Sequence, residues 1–151
     1  MNAMTSGLMG PSQTIQWETP KELFDRLDAE FHFTLDVCAS DGMQKCERYF
    51  NPETNGLKQV WGGGEVCFMN PPYGREIEAW VRKAATSEAI TVGLLPARMD
   101  TKWYQKWVQG YASEVRFIPG RVKFGDSSQG APFPSVIAIW NTPRTPRYGV
   151  Y

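Results

Sequence analysis

The sequence predicts an α/β protein built on a mostly parallel sheet with a late antiparallel hairpin. Three observations carry this expectation. Apolar runs at Phe33 to Ala39, Val66 to Met69 and Ala89 to Leu95 alternate with amphipathic helical patterns, the arrangement of strand–helix–strand units. Ala89 to Leu95 has Thr91 as its only polar residue, as a strand at a sheet centre requires. Near the end, Glu114 to Ile118 and Arg121 to Phe124 flank the turn Pro119-Gly120, which reads as a hairpin.

The chain has 151 residues, of which 42% are hydrophobic and 13% aromatic. That favours one domain with a real core. No apolar run approaches the roughly 20 residues of a transmembrane helix, so no membrane partner is expected. Residues 1–14 are rich in Gly, Ser and Met, have no secretory-signal pattern, and are expected to be disordered. Residues 15–140 form the expected domain and 141–151 an extended tail. Cys38, Cys46 and Cys67 follow no CxxC spacing and His32 is the single histidine, so no metal site is expected. Reduced thiols point to the cytoplasm.

Formal net charge is zero, which argues against a strongly electrostatic nucleic-acid binder. The charge is unevenly placed, however. Residues 1–70 carry five basic and ten acidic side chains, and residues 71–151 carry eleven basic and six acidic. The C-terminal part could meet phosphates; chance scatter of solvated charges fits nearly as well.

Taken in order, the first element is a helix. Thr19 is its candidate N-cap, Pro20 its first residue, and Glu22 completes a capping box. Leu23, Phe24, Leu27 and Phe31 fall on one face. Trp17 lies just before the cap and is unexplained by the helix. The run Phe33 to Ala39 follows, with Asp36 inside it. A buried unpaired carboxylate is costly, so Asp36 should lie near the strand end and meet a donor. Ligands of open α/β sheets bind beyond the carboxyl ends of strands. Cys46 to Phe50 reads as a short strand. Ile77, Trp80, Val81, Ala84 and Ala85 give the second helix. After Ala89 to Leu95 comes Pro96-Ala97-Arg98, then Asp100 as cap of a helix whose apolar face is Trp103, Tyr104, Trp107 and Val108, ended by Gly110. Arg98 lies where a substrate would be. A polar loop, Gly125 to Gly130, leads to the last strand, Ser135 to Trp140.

The sharpest signal is Asn70-Pro71-Pro72-Tyr73, directly after the run Val66 to Met69 and before a helical pattern. Two prolines stiffen the loop and bias the preceding residues toward extended backbone. The Asn70 amide and the Pro71 carbonyl are then rigid acceptors, and Tyr73 adds an aromatic face. Such a site suits a planar substrate carrying an NH2 group. A simple proline-rich turn is the competing explanation.

The tetrapeptide resembles that of S-adenosylmethionine-dependent amino methyltransferases. An ordered series extends the likeness from Trp17 to about Trp140: Trp17-Glu18-Thr19-Pro20, Leu35-Asp36-Val37-Cys38-Ala39, Asn70-Pro71-Pro72-Tyr73-Gly74, Leu95-Pro96-Ala97-Arg98 with Asp100-Thr101 and Trp103, Gly120-Arg121-Val122-Lys123-Phe124, and Phe133-Pro134-Ser135. As a set it resembles the phage-type DNA adenine-N6 methyltransferases.

The resemblance implies a reduced Rossmann-like methyltransferase fold, S-adenosylmethionine as cofactor, DNA as partner and the cytoplasm of a bacterial host as location. It implies that Asn70, Pro71, Pro72 and Tyr73 hold the target base at the catalytic centre. Trp17, Thr19, Pro20, Asp36, Ala39 and Asn70 would contact the cofactor, with Asp41 and Glu47 as candidate ribose acids. Tyr73, Arg98, Arg121, Lys123 and Phe124 would meet DNA, with Phe124 stacking on a flipped adenine. RNA adenine or protein glutamine-N5 methylation uses the same tetrapeptide, and a non-catalytic cofactor- or nucleic-acid-binding module could keep the fold. Oligomeric state and recognised site stay open.

Overall fold

The computed structural model describes residues 17–143 and 147–150. The expected disordered segment 1–14 lies outside the described residues, as do tail residues 144–146 and 151. One six-stranded sheet forms the middle layer, from β1 (Leu35–Asp36), β2 (Val66–Met69), β3 (Ile90–Pro96), β4 (Glu114–Phe117), β5 (Ser135–Trp140) and β6 (Arg147–Val150). Their spatial order is β1-β2-β3-β5-β4-β6. β5 runs antiparallel to both β3 and β4, while the pairs β1/β2, β2/β3 and β4/β6 are parallel. Five described strands therefore share one direction and β5 alone opposes them. This is the α/β, mostly parallel architecture that the alternating pattern predicts. The antiparallel β4/β5 pair supplies the late reversal.

Side-chain alternation sends each strand's residues to opposite faces. Cys67, Met69, Val136, Ala138 and Trp140 join one core. Phe68, Ile137 and Ile139 join the other. Helix α1 (Lys21–Phe31) covers the second core with Phe24 and Leu27. Helix α2 (Ile77–Thr86) covers the first with Ile77, Trp80, Val81 and Ala84, the stripe expected from spacing. Arg116 on β4 ties α1 to the sheet through a two-pronged pair with Glu30, both contacts at 2.7 Å.

Several local expectations change. Phe33 to Ala39 shortens to the two residues of β1, because the chain turns at Val37 and Cys38. Cys46 to Phe50 contributes one parallel bridge, Tyr49 to Asp36, rather than a strand. Arg121 to Phe124 lies outside the strands, so the reversal is made by β5 and not by a tight hairpin at Gly120. The capping box does not form. Helix α1 begins after Pro20, with no side-chain cap bond. Asp100 is exposed, and Thr101 accepts the Tyr104 N–H at 3.3 Å in its place. The helix that follows is wound as a π-helix over Tyr104–Gln109. No helix among the described residues is long and apolar enough to cross a membrane.

Candidate active site

The parallel strands β1, β2 and β3 end on one edge of the sheet, and their loops build two adjoining clefts there. This is where open α/β sheets place ligands. The first cleft is lined by Trp17, Glu18 and Thr19 before α1, by Asp36, Cys38 and Ala39 after β1, by Met43 and Lys45, and by Asn70, Pro71 and Pro72 after β2. The second is lined by Tyr73 and Gly74, by Arg98 after β3, and by Trp17, Trp103 and Phe133. The tetrapeptide straddles the boundary. Asn70, Pro71 and Pro72 face the first cleft and Tyr73 the second. Gly74 follows with φ +122, a backbone state that a side chain disfavours.

Asn70 is held from two sides. Its Nδ2 donates to the carbonyl of Trp17 and, at 2.9 Å, to Oγ1 of Thr19. Its Oδ1 lies 3.3 Å from the Tyr73 hydroxyl, which is also 3.2 Å from the Leu94 carbonyl. One hydroxyl proton serves one of these acceptors at a time, so Oδ1 keeps acceptor capacity. Among the described residues none donates to the Pro71 carbonyl. Burial pushes the Tyr73 phenol well above its ordinary range, so it stays a neutral donor at any physiological pH.

Asp36 is buried and meets the donors that its position requires. Its Oδ1 accepts from the Cys38 N–H at 3.2 Å and its Oδ2 from the Lys45 N–H at 3.0 Å. Burial raises its pKa, against the pull of these two bonds and of the Lys45 charge. The same contacts bring the loop after β1 back over the strand end, where Lys45 Nζ lies 3.5 Å from Glu18 Oε2. Cys38 lines the cleft as an inert thiol. Burial, then the charges of Asp36 and Glu76, push it up to about 12.

The structure thus brings together Trp17, Thr19, Asp36, Ala39, Asn70, Pro71, Pro72, Tyr73 and Arg98 around the two clefts. Pro20 immediately precedes α1 and lines neither cleft. Asp41 is bonded by Asn51, at 3.1 Å, and Glu47 lines a separate depression near Phe33, so neither candidate ribose acid reaches the first cleft. Arg121 and Lys123 are exposed and line neither cleft. Phe124 is 5% exposed, packed behind Trp17 at 5.4 Å between ring centroids. The aromatic from the late loop that reaches the second cleft is Phe133, with the Arg98 guanidinium 5.8 Å from its centroid. Sequence reasoning assigned no site role to Phe133, Trp103, Glu18 or Lys45. Phe133, Trp103 and Glu18 each had a signal, in Phe133-Pro134-Ser135, beside Asp100-Thr101 and in Trp17-Glu18-Thr19-Pro20; Lys45 had none. Among the described residues no three His, Cys, Asp or Glu side chains gather as metal ligands.

Known proteins share this sequence pattern. A DNA N-6-adenine-methyltransferase from Escherichia phage T1 is 35% identical over 107 residues, which are 68% of this chain and 44% of the phage protein. A second, from Haemophilus phage HP1, is 30% identical over 132 residues, covering 84% of this chain and 76% of that protein. The chain therefore spans less than half the length of the first relative. Among solved structures, a predicted O-methyltransferase from Agrobacterium tumefaciens aligns with TM-score 0.40 and 16% identity over 88% of this chain and 65% of its own. The family profile described as DNA N-6-adenine-methyltransferase (Dam) matches residues 10–150, and with that span of agreement the chain belongs to this family.

Proposed function

We propose that the protein transfers a methyl group from S-adenosylmethionine to N6 of an extrahelical adenine in DNA. The observation that carries this is the position of Asn70-Pro71-Pro72-Tyr73 between two clefts. The first cleft suits the cofactor. It sets Lys45 beside Glu18 and Asp36, with Phe68, Met43 and Ala39 as apolar lining. One cation and two carboxylates complement a zwitterionic amino acid, and the apolar lining suits a flat ring. Bound there, S-adenosylmethionine supplies an electrophilic methyl carbon.

The second cleft suits the base. The amino nitrogen of adenine is a poor nucleophile because its lone pair is delocalised into the ring. Asn70 Oδ1 and the Pro71 carbonyl accept its two hydrogens and favour a pyramidal nitrogen, freeing the lone pair. Tyr73 and Phe133 offer aromatic surface to the base. Aligning two bound reactants supplies roughly 7–11 kcal/mol in favourable cases, and fixed acceptors stabilise the charge that develops on nitrogen. The amino proton then leaves to water. A paired adenine hides N6 in the duplex, so the base must leave the stack. Arg98, exposed and lining the second cleft, would meet the adjoining phosphate. The host cytoplasm, which holds both DNA and cofactor, is the place of action.

The deciding experiment incubates the protein with labelled cofactor and, separately, DNA, RNA and a protein extract. Label is expected on N6 of adenine in DNA. Label confined to RNA or to protein glutamine would replace the substrate. Asn70→Ala is expected to abolish transfer while S-adenosylhomocysteine binding survives within a few fold; retained activity would sink the mechanism.

A further inference from the structure

We propose that Thr19 is a positioning residue whose hydroxyl fixes the rotation of the Asn70 amide, so that Oδ1 and not the NH2 group faces the substrate. The inference rests on the reading of Asn70 as an acceptor for the adenine amino group. An amide side chain offers a donor end and an acceptor end of nearly equal shape. Turned the wrong way, Asn70 would set its own NH2 against the NH2 of the base, and no hydrogen bond could form.

The structure resolves the choice. The Trp17 carbonyl can only accept, so the amide atom beside it must be Nδ2. Thr19 Oγ1, 2.9 Å away, takes the other N–H. With both hydrogens committed, Oδ1 points to Tyr73. Thr19 is 2% exposed, so water competes poorly for this bond. Its hydroxyl is also free of the capping duty that its place before α1 suggests. Trp17 and Thr19 thus act as a two-point cradle, delivered by one short segment to a residue 51 positions away in sequence. Without the hydroxyl, one anchor remains and the amide can pivot.

Thr19 also lines the first cleft, so the test must separate positioning from cofactor contact. Thr19→Val keeps the shape and removes the hydroxyl; Thr19→Ser keeps the hydroxyl. Both are made in the full chain. Thr19→Val is expected to lower kcat by about tenfold, the rate equivalent of one hydrogen bond. KM for the cofactor and Kd for S-adenosylhomocysteine are expected to stay within about twofold, and Thr19→Ser to recover most of the rate. NMR of isotope-labelled protein gives a readout free of activity. The Asn70 side-chain NH2, assigned by its loss in Asn70→Ala, is expected to exchange slowly in wild type and Thr19→Ser and rapidly in Thr19→Val. Unchanged exchange in Thr19→Val, or normal kcat with weakened cofactor binding, overturns the proposal. If wild type transfers no methyl group to DNA, the functional reading falls, and the exchange measurement still decides the role of Thr19.

Discussion

The indole of Trp17 lies against the phenol ring of Tyr73, with centroids 6.3 Å apart and planes 23° from parallel. Trp17 lines both clefts, so one side chain forms part of the wall between them. It also meets Phe133 edge-on at 5.3 Å. Removing the indole should therefore disturb both pockets together. Trp17→Ala is expected to weaken S-adenosylhomocysteine and DNA binding by roughly tenfold each, the scale of a lost aromatic contact. Calorimetry with the two ligands in turn checks this. Loss of one affinity with the other intact would show that the wall belongs to a single pocket.

Phe124 sits behind that wall. Its ring meets Trp17, Tyr73 and Phe133, and the loop beyond it is anchored by the Gly125 N–H on the Glu18 carbonyl at 2.8 Å. Truncating a buried aromatic costs about 3–5 kcal/mol. Phe124→Ala is thus expected to lower the melting temperature by roughly 10 °C, with both ligand sites disturbed through Trp17. A mutant that melts like wild type and loses only DNA affinity would restore Phe124 as a direct stacking residue.

This contrast marks what sequence reveals and what it hides. The tetrapeptide was legible because an apolar run stopped at two prolines, and local chemistry dictated what followed. Helix α2 was legible from the spacing of Ile77, Trp80, Val81 and Ala84. The choice between Phe124 and Phe133 was not, since both lie in irregular chain with no period to assign a face. Only the closure of that loop, with the Ala131 N–H on the Val122 carbonyl, decides which ring reaches the cleft. Thr19 looked like a helix cap because capping is a local rule. Its actual partner, Asn70, is set by the packing of α1 on the sheet. Lys45 was invisible for the same reason: Asp36 draws its backbone over the end of β1. The π-helix at Tyr104–Gln109 kept the expected apolar residues but not the winding, which the apolar spacing does not specify.

Arg98 is exposed and lines the second cleft, its guanidinium over the Phe133 ring. A cation so placed keeps its charge available to a phosphate while the ring fixes its direction. Arg98→Gln is expected to weaken DNA binding and to reduce the salt dependence of binding by about one counterion. S-adenosylhomocysteine affinity should hold, since Arg98 does not line the first cleft. Anisotropy titrations across a salt series give the slope. An unchanged slope with weaker binding would mean that Arg98 acts through Phe133 alone.

Asp36, at the first cleft, makes the stability of the fold depend on pH. Its folded pKa is raised, by burial above all, so the folded protein holds this proton more tightly than the unfolded chain. Stability linked to this group therefore falls as pH rises from about 4, the ordinary carboxylate value, through the raised folded value, and then levels off. Glu65 works in the opposite sense. Its carboxyl is held low by the Thr34 hydroxyl first and by Arg48 second, so its contribution is lost as pH falls. Comparing wild type with Asp36→Asn cancels Glu65 and isolates Asp36. Wild-type stability relative to the mutant, from urea midpoints, is expected to decline with rising pH and then reach a plateau. The mutant amide can accept one of the two N–H groups from Cys38 and Lys45 but turns its NH2 toward the other, so a pH-independent offset is expected beneath the slope. A difference that stays flat over the whole range would mean that Asp36 ionises in the fold as it does in the open chain, and that its two backbone donors fully offset its burial.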